Sequence, residues 1–326
     1  MIISRTPLRM SFVGGGTDLP AFYRKSGGAV VSTAINQFVY ITVNKKFDEK
    51  IRVSYSRTEE ARSVDRIRHP LVREAMRLLG IAGGVEITSI ADIPARGTGL
   101  GSSSAFTVGL LHALHAYAGR PATAEELARQ ACEIEIDRCG EPIGKQDQYA
   151  AAFGGLNFIR FNPDDTVRVE AIRCAEATWR LMEERMLVFY TGITRSASAI
   201  LKEQDQKSKS DDQSMIENLH FVKDLGLQSQ RALESGNLPE FARLMDVHWQ
   251  RKKERSGGMS NPKINEWYDL ARASGAFGGK LIGAGGGGFL MFYAEDKARL
   301  RHAMRQSGLK EVRFRFDFEG TKLVTS

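Results

Sequence analysis

The stretch IPARGTGLGSSSA, from Ile93 to Ala105, decides how the rest of the chain is read. It holds a proline, three glycines at alternate positions (Gly97, Gly99, Gly101) and three consecutive serines (Ser102, Ser103, Ser104). It then runs into AFTVGLLHALHAYAG, whose apolar spacing is helical and which closes at Gly119. Glycines permit positive φ and let backbone N–H groups come close to a ligand. The serines stand at a helix N-terminus, where free N–H groups and the positive end of the helix dipole converge, and that combination suits phosphate. Their hydroxyls offer hydrogen bonds or one ligand to a magnesium ion. A plain glycine turn with a serine cap would need one of the three serines. A Walker loop is excluded, because Gly97 to Ser104 holds no lysine.

The totals around this stretch set the class. A chain of 326 residues buries a large core and suggests two domains. Apolar residues make up 42% and charged residues 26%, and no apolar run approaches the roughly 20 residues of a membrane helix. The start, MIISRTPLRM, lacks a signal-peptide core, so a cytoplasmic location is expected. The three cysteines (Cys132, Cys139, Cys174) have no paired spacing, which argues against a disulfide framework or a zinc site. His112 and His115 stand one helical turn apart without a carboxylate at ligand spacing, so they read as packing residues. The net charge of +7 would permit nucleic-acid binding, yet the basic residues are dispersed among acids and fit an anionic small substrate equally well.

Outward from the loop, residues 2–13 alternate as a strand, with Pro7 at an edge or bend, and lead to the turn Gly14-Gly15-Gly16-Thr17-Asp18. Segments 38–43 and 51–55 read as strands of a meander, and 69–79 as a short helix stopped by Gly80. Thr123 and Glu126 form a capping box for a helix expected to run to about Arg138. EIEIDRCGEPIGKQDQYAAAFGG then places Glu135 and Asp147 twelve residues apart. Glu133 and Glu135 cannot both face the loop from one helix. A strand follows at 154–161 and another at 185–192. The stretch QDQKSKSDDQS (204–214) reads as the most loop-like of the chain. Helical patterns occupy 213–234, 237–254, 262–274 and 295–307. VRFRFDF (312–318) alternates as a closing strand. Gly283 to Gly288 satisfies G-x-G-x-x-G, but FLMFY continues it as a strand rather than opening a helix, so it is not a dinucleotide fingerprint.

Three segments in this order, TPLRMSFVGGGTD, IPARGTGLGSSSA and GGKLIGAGGGGFLMF, resemble the three motifs of the GHMP kinases, which include galactokinase, homoserine kinase, mevalonate kinase and phosphomevalonate kinase. The resemblance is nearly full-length. It implies an α+β, two-domain fold: a ribosomal protein S5 domain 2-like, ATP-binding domain over 1–175 and a ferredoxin-like domain over 176–326. ATP and substrate would lie in the cleft between them. Arg9 and Asp18 keep the nine-residue spacing of the galactokinase pattern, but Gly15 and Gly16 stand where that pattern has Glu-His, which argues for a different sugar. The local wording is similar to the branch that phosphorylates the anomeric hydroxyl of sugars.

What the resemblance implies for the site is specific. The ATP phosphates would be held by Gly97, Gly99, Leu100, Gly101, Ser102, Ser103 and Ser104, and Mg2+ by Ser103 and Glu135. Asp147 would accept the proton of the attacking hydroxyl or orient it, and Arg9 would neutralise charge between Asp147 and the γ-phosphate. Asp18, Gly15, Gly16, Gly285 and Gly286 would line the substrate side. A phosphorylated sugar needs a cationic clamp, for which Lys25, Arg195, Lys252, Arg255 and Lys280 are candidates. The partners expected are ATP and a small sugar phosphate, with no nucleic acid and no membrane. A fucokinase-type kinase is the near alternative. The fold also carries a diphosphomevalonate decarboxylase and non-catalytic binders. The Arg9 and Asp18 pair speaks against the first, and Ser103, Glu135 and Asp147 against the second.

Overall fold

The computed structural model describes residues 1–93, 98–194, 197–210 and 212–325. Its frame is a long hairpin. β1 (Ile2–Val13) pairs antiparallel with β2 (Gly28–Lys45) across the glycine turn and the short helix α1 (Pro20–Ser26). The register shifts between Pro7 and Leu8. Pro7 has no N–H to give a ladder, and it sits just past Ile3–Arg5, the part of β1 whose outer edge is paired, with β12 (Lys322–Thr325).

The 18 residues of β2 serve two partners in turn. Gly28–Thr33 pair with β6 (Leu156–Phe161), and Val39–Lys45 with β5 (Val85–Ala91). The sheet order is β12-β1-β2-β5-β3-β4, where β3 is Ile51–Ser54 and β4 is Thr58–Ala61, and β7 (Val167–Ala171) extends it beyond β6. The expected meander of 38–43 and 51–55 is therefore corrected. β5 stands between them, and β3 lies parallel to β5. A parallel pair needs a crossover, which β4 and α2 (Pro70–Leu79) supply. On this sheet lies α3 (Ser102–Tyr117), buried along most of its length, with Gly109 set against Ser4, Thr6 and Ile41 of β1 and β2. Thr123 accepts the N–H of Glu126 at 3.2 Å and starts α4 (Ala124–Cys132). The helix does not run on regularly to Arg138, because Glu133–Arg138 form a π-helical turn. α5 (Gln146–Phe153) follows.

A second sheet has the order β11-β8-β10-β9, all antiparallel, from β8 (Met186–Tyr190), β9 (Ala276–Leu281), β10 (Phe289–Ala294) and β11 (Lys310–Val312). α6 (Glu176–Arg185) leads into it. α7 (Ala197–Lys209), α8 (Gln213–Glu234), α9 (Leu238–Lys253) and α10 (Pro262–Ala273) fill the connection from β8 to β9, and α11 (Lys297–Gln306) that from β10 to β11. This is a split β-α-β layer. It has its own core, in which Trp249, Tyr268, Phe292 and Leu300 pack together. A larger core joins the first sheet to α9 through Phe12, Phe241 and Met245.

Two further expectations are overturned. The stretch 204–214 is mostly helix: Lys207 pairs with Glu203 at 2.9 Å and Lys209 with Asp205 at 2.6 Å, each one turn apart. The break falls after Lys209, and Asp212 caps α8 by accepting the N–H of Met215. VRFRFDF is a strand only to Val312. The chain then crosses to the first sheet, where Phe316 bridges Ile35 and Phe318 meets the ring of Trp179. A division at 175/176 thus leaves β12 across the boundary from the sheet it joins. Among the described residues no helix is long and apolar enough to cross a membrane.

Candidate active site

The centre of the site is an ion pair between residues 138 positions apart in sequence. β1 carries Arg9, and the first turn of α5 carries Asp147. Nε of Arg9 donates to Oδ1 of Asp147 at 2.7 Å and Nη2 to Oδ2 at 2.6 Å, a bidentate pair. The third arm, Nη1, donates to the carbonyl of Gly99 at 2.5 Å, and the backbone N–H of Arg9 donates to the carbonyl of Leu100 at 3.0 Å. One buried arginine therefore fixes the glycine loop and the carboxylate together.

The loop ends at Gly101, which takes φ 75° and ψ 25° and opens α3 without a side-chain cap. The serines do not close the helix end. Ser103 Oγ instead donates to Oε1 of Glu135 at 2.6 Å, and Ser102 Oγ is buried with no partner among the described residues. The first-turn N–H groups are thus left facing the loop, the arrangement that suits phosphate.

Glu135 owes its orientation to the π turn, whose extra residue rotates the helix locally. Glu133 points outward, to Arg138 at 2.7 Å, and Glu135 points inward. Its second oxygen accepts Nε2 of Gln148 at 2.6 Å. At 1% exposure Glu135 has no cationic partner among the described residues, and burial pushes its carboxyl up to about 7 against the hydrogen bonds from Ser103, Ser104 and Gln148. Among the described residues no group of three or more His, Cys, Asp or Glu side chains is placed to hold a metal. Ser103 and Glu135 fit a magnesium ion that takes its other oxygens from phosphate and water.

Beyond Arg9 lies a cavity of about 70 Å3, lined among others by Asp18, Gln146, Asp147, Gln204, Lys252 and Arg255. Asp18 is buried and accepts the N–H of Gly16 at 2.9 Å, the N–H of Gln146 at 3.2 Å and Nε2 of Gln146 at 3.1 Å. Burial, then the nearby charge of Asp147, raises its pKa. Lys280 Nζ donates to the carbonyls of Ser11 (3.0 Å) and Phe12 (2.8 Å), and Lys252 Nζ to that of Gly283. Arg255 donates from Nη1 to the Gly15 carbonyl at 2.7 Å and from Nε to Asn218 at 2.9 Å. Burial lowers Lys252 to about 7 and Arg255 to about 10, and pushes Lys280 well down.

Most of the residues expected from sequence converge here: Arg9, Asp147, Asp18, Gly15 and Gly16 line the cavity, and Ser103 meets Glu135. Gly97 and Arg195 lie outside the described residues. Gly285 and Gly286 are not among the residues lining the cavity. Gly286 donates its N–H to Met259, and a Cβ on Gly285 would strike Met259, so both face the 256–259 turn, while Gly283 and Ala284 line the cavity. Gly283 abuts the glycine loop, where a Cβ would come within 2.4 Å of the Gly99 Cα. Of the five candidate cations, Lys252, Arg255 and Lys280 line the cavity; Lys25 is not among its lining residues. Sequence reasoning missed Gln146, Gln148 and Gln204. The first two flank Asp147 and were legible as a pair; Gln204 was hidden in the stretch read as a loop.

Comparison with known proteins matches residues 68–155 to the model for the GHMP kinases N terminal domain and residues 229–310 to that for GHMP kinases C terminal. A D-glycero-alpha-D-manno-heptose 7-phosphate kinase of Campylobacter jejuni is 32% identical, covering 98% of each chain. An L-fucokinase/L-fucose-1-P guanylyltransferase of Bacteroides fragilis is 28% identical over 91% of this chain, but only 35% of that larger protein. The crystal structure of a D-glycero-D-manno-heptose 1-phosphate kinase from Bacteroides thetaiotaomicron superposes with a TM-score of 0.83 at 27% identity, covering 100% of this chain and 99% of that one.

Proposed function

Because the chain belongs to the GHMP kinase family, we propose that it transfers the γ-phosphoryl group of ATP to the anomeric hydroxyl of D-glycero-D-manno-heptose 7-phosphate. The product would be the 1,7-bisphosphate, a step of GDP-heptose biosynthesis. The choice of sugar rests on the near full-length likeness to the Campylobacter jejuni kinase. The reaction class rests on one observation: Arg9 holds Asp147 and the glycine loop in a single buried network.

The residues act chiefly through position and charge, as phosphoryl transfer requires. Gly99, Leu100, Gly101 and the open N-terminus of α3, with Ser102 and Ser104, cradle the phosphates. Ser103 and Glu135 would hold Mg2+, which when bound would neutralise charge on the phosphates. Asp147 takes the proton from the sugar hydroxyl as its oxygen bonds to the γ-phosphorus and the bond to ADP breaks. An anomeric hydroxyl is more acidic than an ordinary alcohol, so a carboxylate suffices as base. Arg9 balances the charge that grows between Asp147 and the γ-phosphate, and Asp18 with Gln146 orients the sugar hydroxyls.

The names of the two heptose kinases differ in where the accepted sugar carries its phosphate, which sets the test. The purified protein is given Mg2+, ATP and, separately, heptose 7-phosphate, heptose 1-phosphate, mannose 6-phosphate, fucose, galactose or mevalonate. ADP release and phosphorus NMR are read together. Turnover of the 7-phosphate with a new anomeric phosphate is expected. Turnover of fucose alone or of the 1-phosphate alone would replace the substrate and keep the site, whereas no ATP turnover with any of them would leave a non-catalytic binder.

A further inference from the structure

The sugar-side cavity carries more positive charge than its carboxylates balance. Arg9, Lys252, Arg255 and Lys280 line it against two acids, Asp18 and Asp147, an excess of two. Asp147 is already taken by Arg9, so among the described residues lining the cavity Lys252, Arg255 and Lys280, at 5%, 3% and 2% exposure, are left with Asp18 alone. Their lowered pKa values express the same imbalance: burial opposes each charge first, and the neighbouring cations oppose it next for both lysines. Buried cations without counter-charge are costly unless something anionic joins them.

The unpaired donors locate where it joins. Nη2 of Arg255 and Nε2 of Gln204 are both buried and, among the described residues, both without an acceptor. They belong to side chains that meet over Gly16, since a Cβ there would lie 2.4 Å from Gln204 Nε2 and 2.6 Å from Arg255 Nη1. Gly16 has φ 101°, so no other residue is accommodated readily, and its bareness leaves room for these two side chains. Lys252 stands between this point and the reacting end, because its acceptor Gly283 abuts Gly99. Lys280 is committed to the carbonyls of Ser11 and Phe12 and positions the end of β1.

We propose that Arg255 and Gln204, reinforced by the charge of Lys252, form a subsite for a phosphate monoester of the acceptor substrate, a group that is bound and not transferred. It rests on the reading of the site as a sugar kinase. A phosphate monoester brings close to two negative charges and three acceptor oxygens, which match the excess charge and the two unpaired donors. The subsite is separate from the nucleotide's phosphates. Arg255 is held by Gly15 and Asn218 on the Asp18 side, whereas the glycine loop is held by Arg9.

The test compares heptose 7-phosphate with unphosphorylated heptose in wild type, Arg255→Met, Gln204→Leu and Lys252→Met. Arg255→Met and Gln204→Leu are expected to lower kcat/KM about 10- to 100-fold more for the phosphorylated sugar than for the unphosphorylated one, mostly through KM. Lys252→Met should act in the same direction and more weakly. A second reading uses thermal unfolding in saturating Mg·ADP, which fills the nucleotide's own phosphate sites. Inorganic phosphate should raise Tm in wild type, and the rise should shrink in each variant. Equal losses on both sugars, with phosphate stabilisation intact, would overturn the subsite. If wild type turns over neither heptose, the substrate reading fails by itself, and the phosphate-dependent Tm still decides the subsite. Should Arg255→Met not fold, as circular dichroism would reveal, Gln204→Leu and Lys252→Met carry both measurements.

Discussion

Asp147 and Glu135 are two carboxylates of one cleft that were given opposite partners. Asp147 receives two N–H groups from a guanidinium, at 2.7 and 2.6 Å. Glu135 receives a hydroxyl and an amide, both neutral, at 2.6 Å each. Burial accordingly pushes Glu135 up to about 7. The contrast separates their chemistry. A carboxylate gripped by two guanidinium N–H groups is fixed in position, with lone pairs left to accept a further hydrogen bond. A buried carboxylate with neutral donors only marks where a cation is wanted, and Ser103 stands exposed on its outer side.

The largest effect expected from this contrast is at Asp147. Asp147→Asn keeps the shape and one acceptor oxygen but removes the base, so turnover should fall by about 10² to 10⁴. Arg9 loses its counter-charge as well, which should cost on the order of 1–3 kcal/mol of stability, allowing for the 23% exposure of the Asp147 side chain. A fall in kcat of less than about tenfold would remove the base role and with it the distinction between the two acids.

Glu135→Gln tests the other half. With a folded pKa near 7, above the ordinary value of 4.5, native Glu135 keeps a proton between those pH values that the unfolded chain has lost. Wild-type stability should therefore decline as pH rises from 4.5 to 7 and then level off, a loss of up to roughly 3 kcal/mol. Glutamine cannot ionise, so the variant should gain on wild type across that window and stay ahead at pH 8. Its apparent affinity for Mg2+ should drop at least about 10-fold. Denaturant titrations at pH 5 and pH 8 would read the first effect, and Mg2+ dependence of turnover the second. A stability difference that ignores pH would mean that Glu135 is ionised throughout and is no vacancy for a cation.

Both carboxylates were legible in the sequence, Asp147 because it stands between two glutamines after a glycine turn, and Glu135 because it lies twelve residues before it, close to the spacing of the resembling family stretch. The hairpin of β1, the glycine loop and α3 were legible for the same reason, since local glycine and apolar patterns determine them. What stayed hidden was set by partners distant in sequence. The identity of the strand beside β2 depends on how α2 crosses over, which no local pattern encodes. The helix α7 disguised itself as a loop because its polarity is arranged in one-turn ion pairs rather than in an apolar face. Gln204 went unseen with it. The alternating aromatics of 312–318 obey the strand period, yet they serve the first sheet. The inward turn of Glu135, anticipated from spacing, has its physical cause in a π turn that the sequence does not announce.

Gly101→Ala gives the smallest expected effect and the sharpest discrimination between the two acids. An added Cβ would lie 3.2 Å from Cγ of Arg9, 3.3 Å from Oδ2 of Asp147 and 3.4 Å from Nε of Arg9, each tighter than an ordinary contact. It must also adopt φ 75°, which costs an alanine about 1 kcal/mol. The Arg9–Asp147 pair should yield by a few tenths of an ångström. As a 1 Å misplacement costs about 10²-fold, kcat should fall by roughly 3- to 10-fold. The nearest atoms to that Cβ belong to Arg9 and Asp147 and not to Glu135, so the stability decline between pH 4.5 and 7 should survive unchanged. Full kcat with reduced stability would show that the pair tolerates displacement, and that its charge rather than its exact place matters. A lost pH dependence would instead join the two carboxylates into one coupled unit, against the separation drawn here.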